Sequence, residues 1–429
     1  MAWTRTQRNV VIAAYLGWTL DAFDFFLMVF MFKDIAAELH SSMQVVSTAV
    51  LLTLGMRPVG AFLFGRLADR FGRKPTLMWN ILAYSLLEMA SGFAPTMGTL
   101  LLVRALFGIA MGGEWGIGSA LTMETIPSSS RGAVSGLLQT GYPSGYFLAS
   151  LAVYLFYDRL GWRWMFVLGV LPAILVFFIR RGIEESPSWL EQRTLPRIGE
   201  APGTRRERNV KLAVYAVVLM TAFNFLSHGS QDAYPTFLKV QHHFDTRLTS
   251  LLTAIANVGA ICGGLLFGSL SERIGRRRAI VIAALLALPA LPFWAFGSTP
   301  LILGLGAFLI QLAVQGAWGV VPVHLNELSP PEIRGTFPGF VYQLGNLLAA
   351  INLNLQVAIA ESHRNDYGLA LALVVASSAI AITLLAAFGP ERRGVSMSGL
   401  QGAEEPGAAA PGAAAPGVPA ATPSPGPAR

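Results

Sequence analysis

Between Asn224 and Thr236 the chain reads NFLSHGSQDAYPT, which sets Asn224, His228 and Asp232 four residues apart with Ser227 and Gln231 beside them. At about 100° per residue that spacing lines one stripe of a helix. An imidazole titrates near neutral pH, and a carboxylate one turn away favours its charged form, so such a stripe can hold a proton. Arg57, in LGMRPVGAF, offers a planar fork that meets both oxygens of a carboxylate. Asp21 and Asp24 in GWTLDAFDFF, and Glu114 in RALFGIAMGGEWG, are carboxylates placed away from water, where exchange of a proton near neutral pH becomes accessible. Tyr342 and Gln343, followed by Asn346, Asn352 and Asn354, add hydrogen-bonding groups. The chemistry these residues suit is reversible binding of a small carboxylate together with a proton. No phosphate-binding glycine loop, metal-ligand cluster or soluble catalytic domain accompanies them, so the sequence does not read as an enzyme.

Every one of these groups lies in an apolar segment. The chain is 53% hydrophobic and 13% charged over 429 residues, with a mean hydropathy of +0.54. That composition excludes an ordinary soluble protein and predicts a polytopic helical membrane protein. Cys262 is the single cysteine, which rules out a disulfide framework and a thiolate metal site. Crossing a bilayer takes about 20 apolar residues. Twelve spans are predicted, at 10–32, 44–65, 76–94, 98–121, 133–155, 163–180, 211–238, 248–270, 279–297, 300–324, 335–360 and 367–388. The first is too long for a secretory signal and lacks a small-residue cleavage site.

The pI near 9.7 reflects basic loops rather than a nucleic-acid surface. With both termini cytoplasmic, the outer loops carry only Lys33, Arg159, Arg163, Lys239, Arg247 and Arg364. Apart from Arg57 and Arg104 inside spans, all other Lys and Arg fall on the inner side. The positive-inside rule therefore predicts cytoplasmic termini.

The chain also repeats. GRLADRFGRK at 65–74 recurs as GSLSERIGRR at 268–277, and ETIPSSSRG at 124–132 as ELSPPEIRG at 327–335, both offset by 203 residues. One offset kept by two motifs predicts two equivalent halves, 1–180 and 211–390, joined by a cytoplasmic linker at 181–210. A short helix is expected after SPSWL in that linker. The Ala/Pro/Gly-rich tail at 391–429 is expected to be disordered.

On these motifs the chain resembles the major facilitator superfamily. The resemblance rests on Gly65, Asp69, Arg70, Gly72, Arg73 and Lys74 between spans 2 and 3, on Arg104, Gly108, Gly112 and Glu114 in span 4, on Glu124, Pro127 and Arg131, and on ESPSWL after span 6. Asn224, Ser227, His228, Ser230, Gln231, Asp232 and Thr236 fill the pattern N-x-x-S-H-x-S-Q-D-x-x-x-T, which is similar to the helix 7 signature of Jen-type lactate and pyruvate permeases in its sialate/lactate:proton symporter group. The resemblance implies an all-α fold of twelve transmembrane helices in two pseudo-symmetric six-helix bundles. It further implies proton-coupled uptake of a short monocarboxylate by a monomer in the plasma membrane, with no cofactor beyond the proton.

The repeat separates two kinds of charge. A shift of 203 carries Arg57, Arg104 and Glu114 onto Ala260, Ala307 and Ala317, and carries His228 and Asp232 back onto Phe25 and Val29. Charges buried in a membrane are costly, so those present in one half only are expected to serve function. Asp69, Arg70, Glu124 and Arg131 match Glu272, Arg273, Glu327 and Arg334. These are expected to pair and close the inner face. Arg104, two turns from the outer surface, could equally snorkel toward headgroups, and Glu88 is expected to be structural.

Overall fold

The computed structural model describes residues 3–194 and 202–397. Parts of the expected linker and tail fall outside these. Among the described residues all regular structure is helical, and eight helices are long and apolar enough to cross a membrane.

Side chains and glycines set the limits of the helices. Thr4 forms a capping box with Gln7, and Ser42, Thr96, Asp245, Thr299 and Asp366 each accept from the backbone three residues on. Span 2 (Met43–Phe71) turns into span 3 (Arg73–Gly92) at Gly72, and span 8 (Thr246–Ile274) into span 9 (Arg276–Ala295) at Gly275. Their φ values of 110° and 99° lie where only glycine is unstrained.

Several spans are broken. Span 4 runs Met97–Gly112 and resumes at Glu114–Thr125, and span 10 runs Pro300–Trp318 and resumes at Val321–Leu328. Span 11 is split into Phe337–Ala349 and Asn352–Ser362. Spans 5 and 6 follow Arg131–Gln139 within Gly141–Arg181, as two helices that meet at a corner at Gly161, φ 69°. Span 7 ends earlier than its apolar run suggests. It stops at Gln231, and Tyr234–Val240 is a separate short helix. Shifted by the repeat, that short helix falls on Phe32–Glu38, which follows span 1 (Arg5–Phe30) in the same way. The linker holds a short helix, Pro187–Thr194, which begins within SPSWL rather than after it.

Glycines let the backbones meet. A Cβ on Gly108 would strike the backbone of Thr53, and one on Gly112 that of Arg57, so spans 2 and 4 touch main chain to main chain. Gly259 and Gly263 of span 8 stand in the same relation to Phe308 and Leu312 of span 10. Outward, Leu51, Phe62, Trp79, Phe147, Leu266 and Phe388 are exposed, as suits a lipid solvent. The chain is a multi-pass membrane protein.

Candidate functional site

In span 2, Arg57 precedes Pro58 and is buried against span 1. Its Nη2 lies 3.2 Å from Asp21 Oδ2 and 3.4 Å from Oδ1, and also contacts Met111 Sδ. Its Nε is buried with no acceptor. The guanidinium thus gives Asp21 one nitrogen and keeps further donor capacity. Spans 1, 2 and 4 therefore meet at one ion pair. Tyr142 of span 5 packs on Trp18 of span 1 at 5.6 Å between ring centroids, and Tyr342 of span 11 packs on Trp115 of the first half at 4.7 Å. A small cavity in the first half is lined by Trp18, Glu114, Trp115 and Ser119.

The second buried arginine belongs elsewhere. Arg104, 1% exposed, donates from Nη1 to Glu88 Oε2 at 2.7 Å and does not snorkel. Asp24 Oδ1 and Glu88 Oε1 are both buried without partners, and Gly169 of span 6 backs onto Asp24. Asp24 thus borders the Glu88–Arg104 pair inside the first bundle, away from the closing loops. The sequence had set Glu88 aside because a lone glutamate carries no signal of its partner.

On span 7, His228 Nδ1 sits 3.1 Å from Asp232 Oδ2, and its Nε2 sits 2.9 Å from Asn346 Oδ1 of span 11. The other residues of the stretch divide. Gln231 and Ser230 both bond Gln311 of span 10, at 3.0 Å each. Asn224 is buried and bonds the Met220 carbonyl of its own helix at 2.7 Å. Ser227 offers its carbonyl to Ser230. Gln343 is buried with Oε1 unpartnered.

The two halves are clasped on the face that carries the repeated loops. Asp69 accepts from Gly335 N at 2.7 Å and from Thr336 Oγ1 at 2.6 Å, and Glu272 accepts from Gly132 N. Arg73 is held by Glu124 at 3.0 Å and by Asp69 at 3.1 Å. Arg276 is held likewise by Glu327 and Glu272, at 3.0 and 3.3 Å. Each glutamate also faces across the seam, Glu124 to Arg334 at 3.6 Å and Glu327 to Arg131 at 4.0 Å. Gly65 lies against Thr336, so that a Cβ there would collide with its backbone. Arg70 and Arg273 stand apart from this network. Both are exposed, Arg70 lying over Phe71, because they occupy the outer side of the helix end. The partner that sequence reasoning passed over is Arg276, although the 203-residue shift carries Arg73 onto it.

Among the described residues, the hydrogen bonds and ion pairs that join the halves lie on this loop face or just inside it, as with Ser135 to Val323 and Asn326 to Ser119. Toward the other face, the His228 and Asp232 side chains are each 36% exposed. The structure is closed on the loop face, and His228 and Asp232 of span 7 stay partly accessible.

Residues 14–353 match the Major Facilitator Superfamily. The carboxylic acid transporter protein homolog of Saccharomyces cerevisiae is 28% identical over 405 residues, covering 86% of this chain and 66% of that protein. The sialic acid transporter NanX of Escherichia coli is 28% identical over 388 residues, covering 89% of this chain and 94% of the relative. In fold, the proton:xylose symporter XylE superposes with a TM-score of 0.76 at 18% identity, over 91% of this chain and 97% of that one.

Proposed function

The chain belongs to the Major Facilitator Superfamily, and from that premise we propose that it is a proton-coupled symporter of short monocarboxylates, lactate or pyruvate first, working by alternating access. The observation that carries this reading is the Arg57–Asp21 pair, a buried arginine engaged through one nitrogen by a carboxylate where spans 1, 2 and 4 meet. A substrate carboxylate entering the seam competes with Asp21 for Arg57. A proton taken by Asp21 removes that competitor and cancels a buried charge, so proton and substrate bind together more favourably than either alone. His228 and Asp232, which stay partly accessible, orient the acid or relay the proton. Asp24, Glu88 and Arg104 form a second acidic cluster that can store a proton off the substrate path. The yeast relative, named for carboxylic acids, supports the substrate class.

In this reading the loop face is cytoplasmic, as the basic loops require. The protein is a plasma-membrane monomer with cytoplasmic termini, and the clasp of Asp69, Glu124, Arg131, Glu272, Glu327 and Arg334 is its inner gate. A second reading, an organic acid such as sialate, is favoured by the likeness to NanX. The deciding experiment is lactate uptake into proteoliposomes under an imposed pH gradient, with sialate as competitor. Accumulation abolished by a protonophore is expected. Uptake indifferent to the gradient would refute proton coupling, and displacement by sialate but not pyruvate would move the assignment to the second reading.

A further inference from the structure

Ala14, Trp18 and Asp21 fall at i, i+4 and i+7 of span 1 and so lie on one stripe of that helix. Asp21 meets Arg57, and nearer the loop face Trp18 and Ala14 form one wall of the small cavity. Span 4 supplies another wall. Met111, whose Sδ contacts Arg57, is followed one turn nearer the loop face by Glu114 and Trp115, and one turn further by Gly118 and Ser119. Leu138 completes the lining. The cavity therefore lies between the helices that carry Asp21 and Met111, one turn inward from those residues.

Its volume, about 10 Å³ for the centre of a water molecule, is room for one. Trp18 is buried, and its Nε1 has no acceptor, whereas Nε1 of Trp115 is committed to Gln139 at 3.2 Å. Buried donors are almost always satisfied, so the Trp18 N–H calls for a partner on this wall. A Cβ on Gly118 would meet only Glu114 Oε1, at 3.9 Å. Unlike Gly108 and Gly112, Gly118 is thus not required by close packing. It leaves the space open, with the glutamate carboxylate at its edge. Ser119 donates to the Gly116 carbonyl at 3.0 Å and accepts from Asn326 Nδ2, across the seam, at 3.1 Å. The charged and titratable groups around the cavity are Glu114 itself, Asp21 and Arg57 one turn outward, Tyr142 on Trp18 and Tyr342 on Trp115.

We propose that this cavity is a water site, and that its water passes the proton from Asp21 to Glu114 along a route inside the first half that the substrate does not share. The water accepts from Trp18 Nε1, which holds it in place. The Asp21 carboxyl gives its proton to the water as the water gives one of its own to the Glu114 carboxylate. One carboxylate, one water and one carboxylic acid stand at the end as at the start, so no charge is gained or lost. Ser119 ties release to the gate. Its bond to Asn326 joins the halves just inside the loop face, so parting of the halves there uncovers the cavity, and the proton on Glu114 leaves toward the loop side only in that conformation. The inference rests on the proton-symport reading and supplies the proton's route within it.

Proteoliposomes with a trapped pH dye test this route, with gradient-driven lactate uptake and lactate exchange at equal pH measured on the same preparations. Gly118→Ala adds one methyl to the space without a clash. It is expected to slow gradient-driven uptake about fivefold more than exchange, as loss of roughly one hydrogen bond in the path implies. Its melting temperature should not fall, because alanine favours the helix. Trp18→Phe, which keeps a ring and loses the N–H, is expected to act in the same direction. Glu114→Gln is expected to stop lactate-driven acidification of the dye, and acidification at the wild-type rate would overturn the route. Gly118→Ala slowing uptake and exchange in equal proportion, or slowing neither, would overturn it too and leave symport standing. Wild-type uptake indifferent to the pH gradient would refute symport itself, and that outcome is read without any variant.

Discussion

Arg57 and Asp21 are joined at 3.2 Å through a single guanidinium nitrogen, with both side chains buried and the arginine Nε left without an acceptor. A pair bonded in this way is tight enough to stay buried and open enough to exchange its partner. If Asp21 is the group that gives way to substrate, Asp21→Asn keeps carboxylate binding and counterflow exchange but loses accumulation against a gradient. Arg57→Met loses both, with affinity falling by on the order of a hundredfold for loss of a charged hydrogen bond. Exchange and gradient-driven uptake measured on the same proteoliposomes check this. Gradient-driven uptake preserved in Asp21→Asn would remove Asp21 from the coupling path.

His228 touches Asp232 at 3.1 Å and Asn346 at 2.9 Å, and so links span 7 to span 11. His228→Ala and Asp232→Asn are each expected to cut lactate uptake at least about tenfold, in line with one charge-assisted hydrogen bond. Gln231→Ala is expected to act differently. Its bond is to Gln311, so it should lower thermal stability more than affinity. Initial rates and melting temperatures of the three variants separate the two outcomes, and the assignment fails if Gln231→Ala abolishes binding while His228→Ala transports normally.

Gly136 packs so closely on Gly264 that an added Cβ would overlap its carbonyl, and Gly65 does the same against Thr336. Both contacts join the two halves on the loop face, so a larger residue penalises only the conformation closed there. Gly136→Val is therefore expected to shift the population toward opening of the loop face. A cysteine reporter placed at Ser135, where the hydroxyl now bonds Val323 N across the seam, should then label faster with a membrane-impermeant maleimide. Unchanged labelling would argue against this seam as the moving interface.

Outside the spans, Glu38 accepts from Arg163 Nε at 2.7 Å and from Trp162 Nε1 at 2.6 Å, while Arg163 also caps the carbonyls of Gly92 and Ala94. The Arg163 hydrogen bond holds the Glu38 carboxyl below its ordinary value. A carboxyl with a depressed value contributes stability above its unfolded value and loses it as pH falls through the folded one. The contact is thus expected to persist between pH 7 and 5 and to fail below about pH 4. Both side chains are substantially exposed, so solvent screening keeps the effect small. Melting temperatures of wild type and Glu38→Gln should differ slightly by a constant amount from pH 7 to 5 and converge in acid. Divergence in acid would contradict the sign.

Spans, repeat and loop motifs are properties of local composition and spacing, so they were readable along the chain. The 203-residue offset already paired Asp69 with Glu272 and Glu124 with Glu327. Span 7 ends at Gln231 and not at residue 238, because a short helix on the far face is apolar as well, and hydropathy does not distinguish the two.

What the sequence could not supply is which buried acid meets which arginine. Asp21 and Asp24 lie three residues apart on one helix, yet the first meets Arg57 and the second borders the Glu88–Arg104 pair. That choice depends on how spans 2 and 4 slide together at Gly108 and Gly112, and on where span 6 presents Gly169. The aromatic seam from Trp18 to Trp318 likewise gathers rings from distant spans, each of which reads by itself as an ordinary apolar residue. Helical period fixes the face of each span from its own residues. Contacts between spans depend on close packing of the whole bundle, so they exist only in the folded protein.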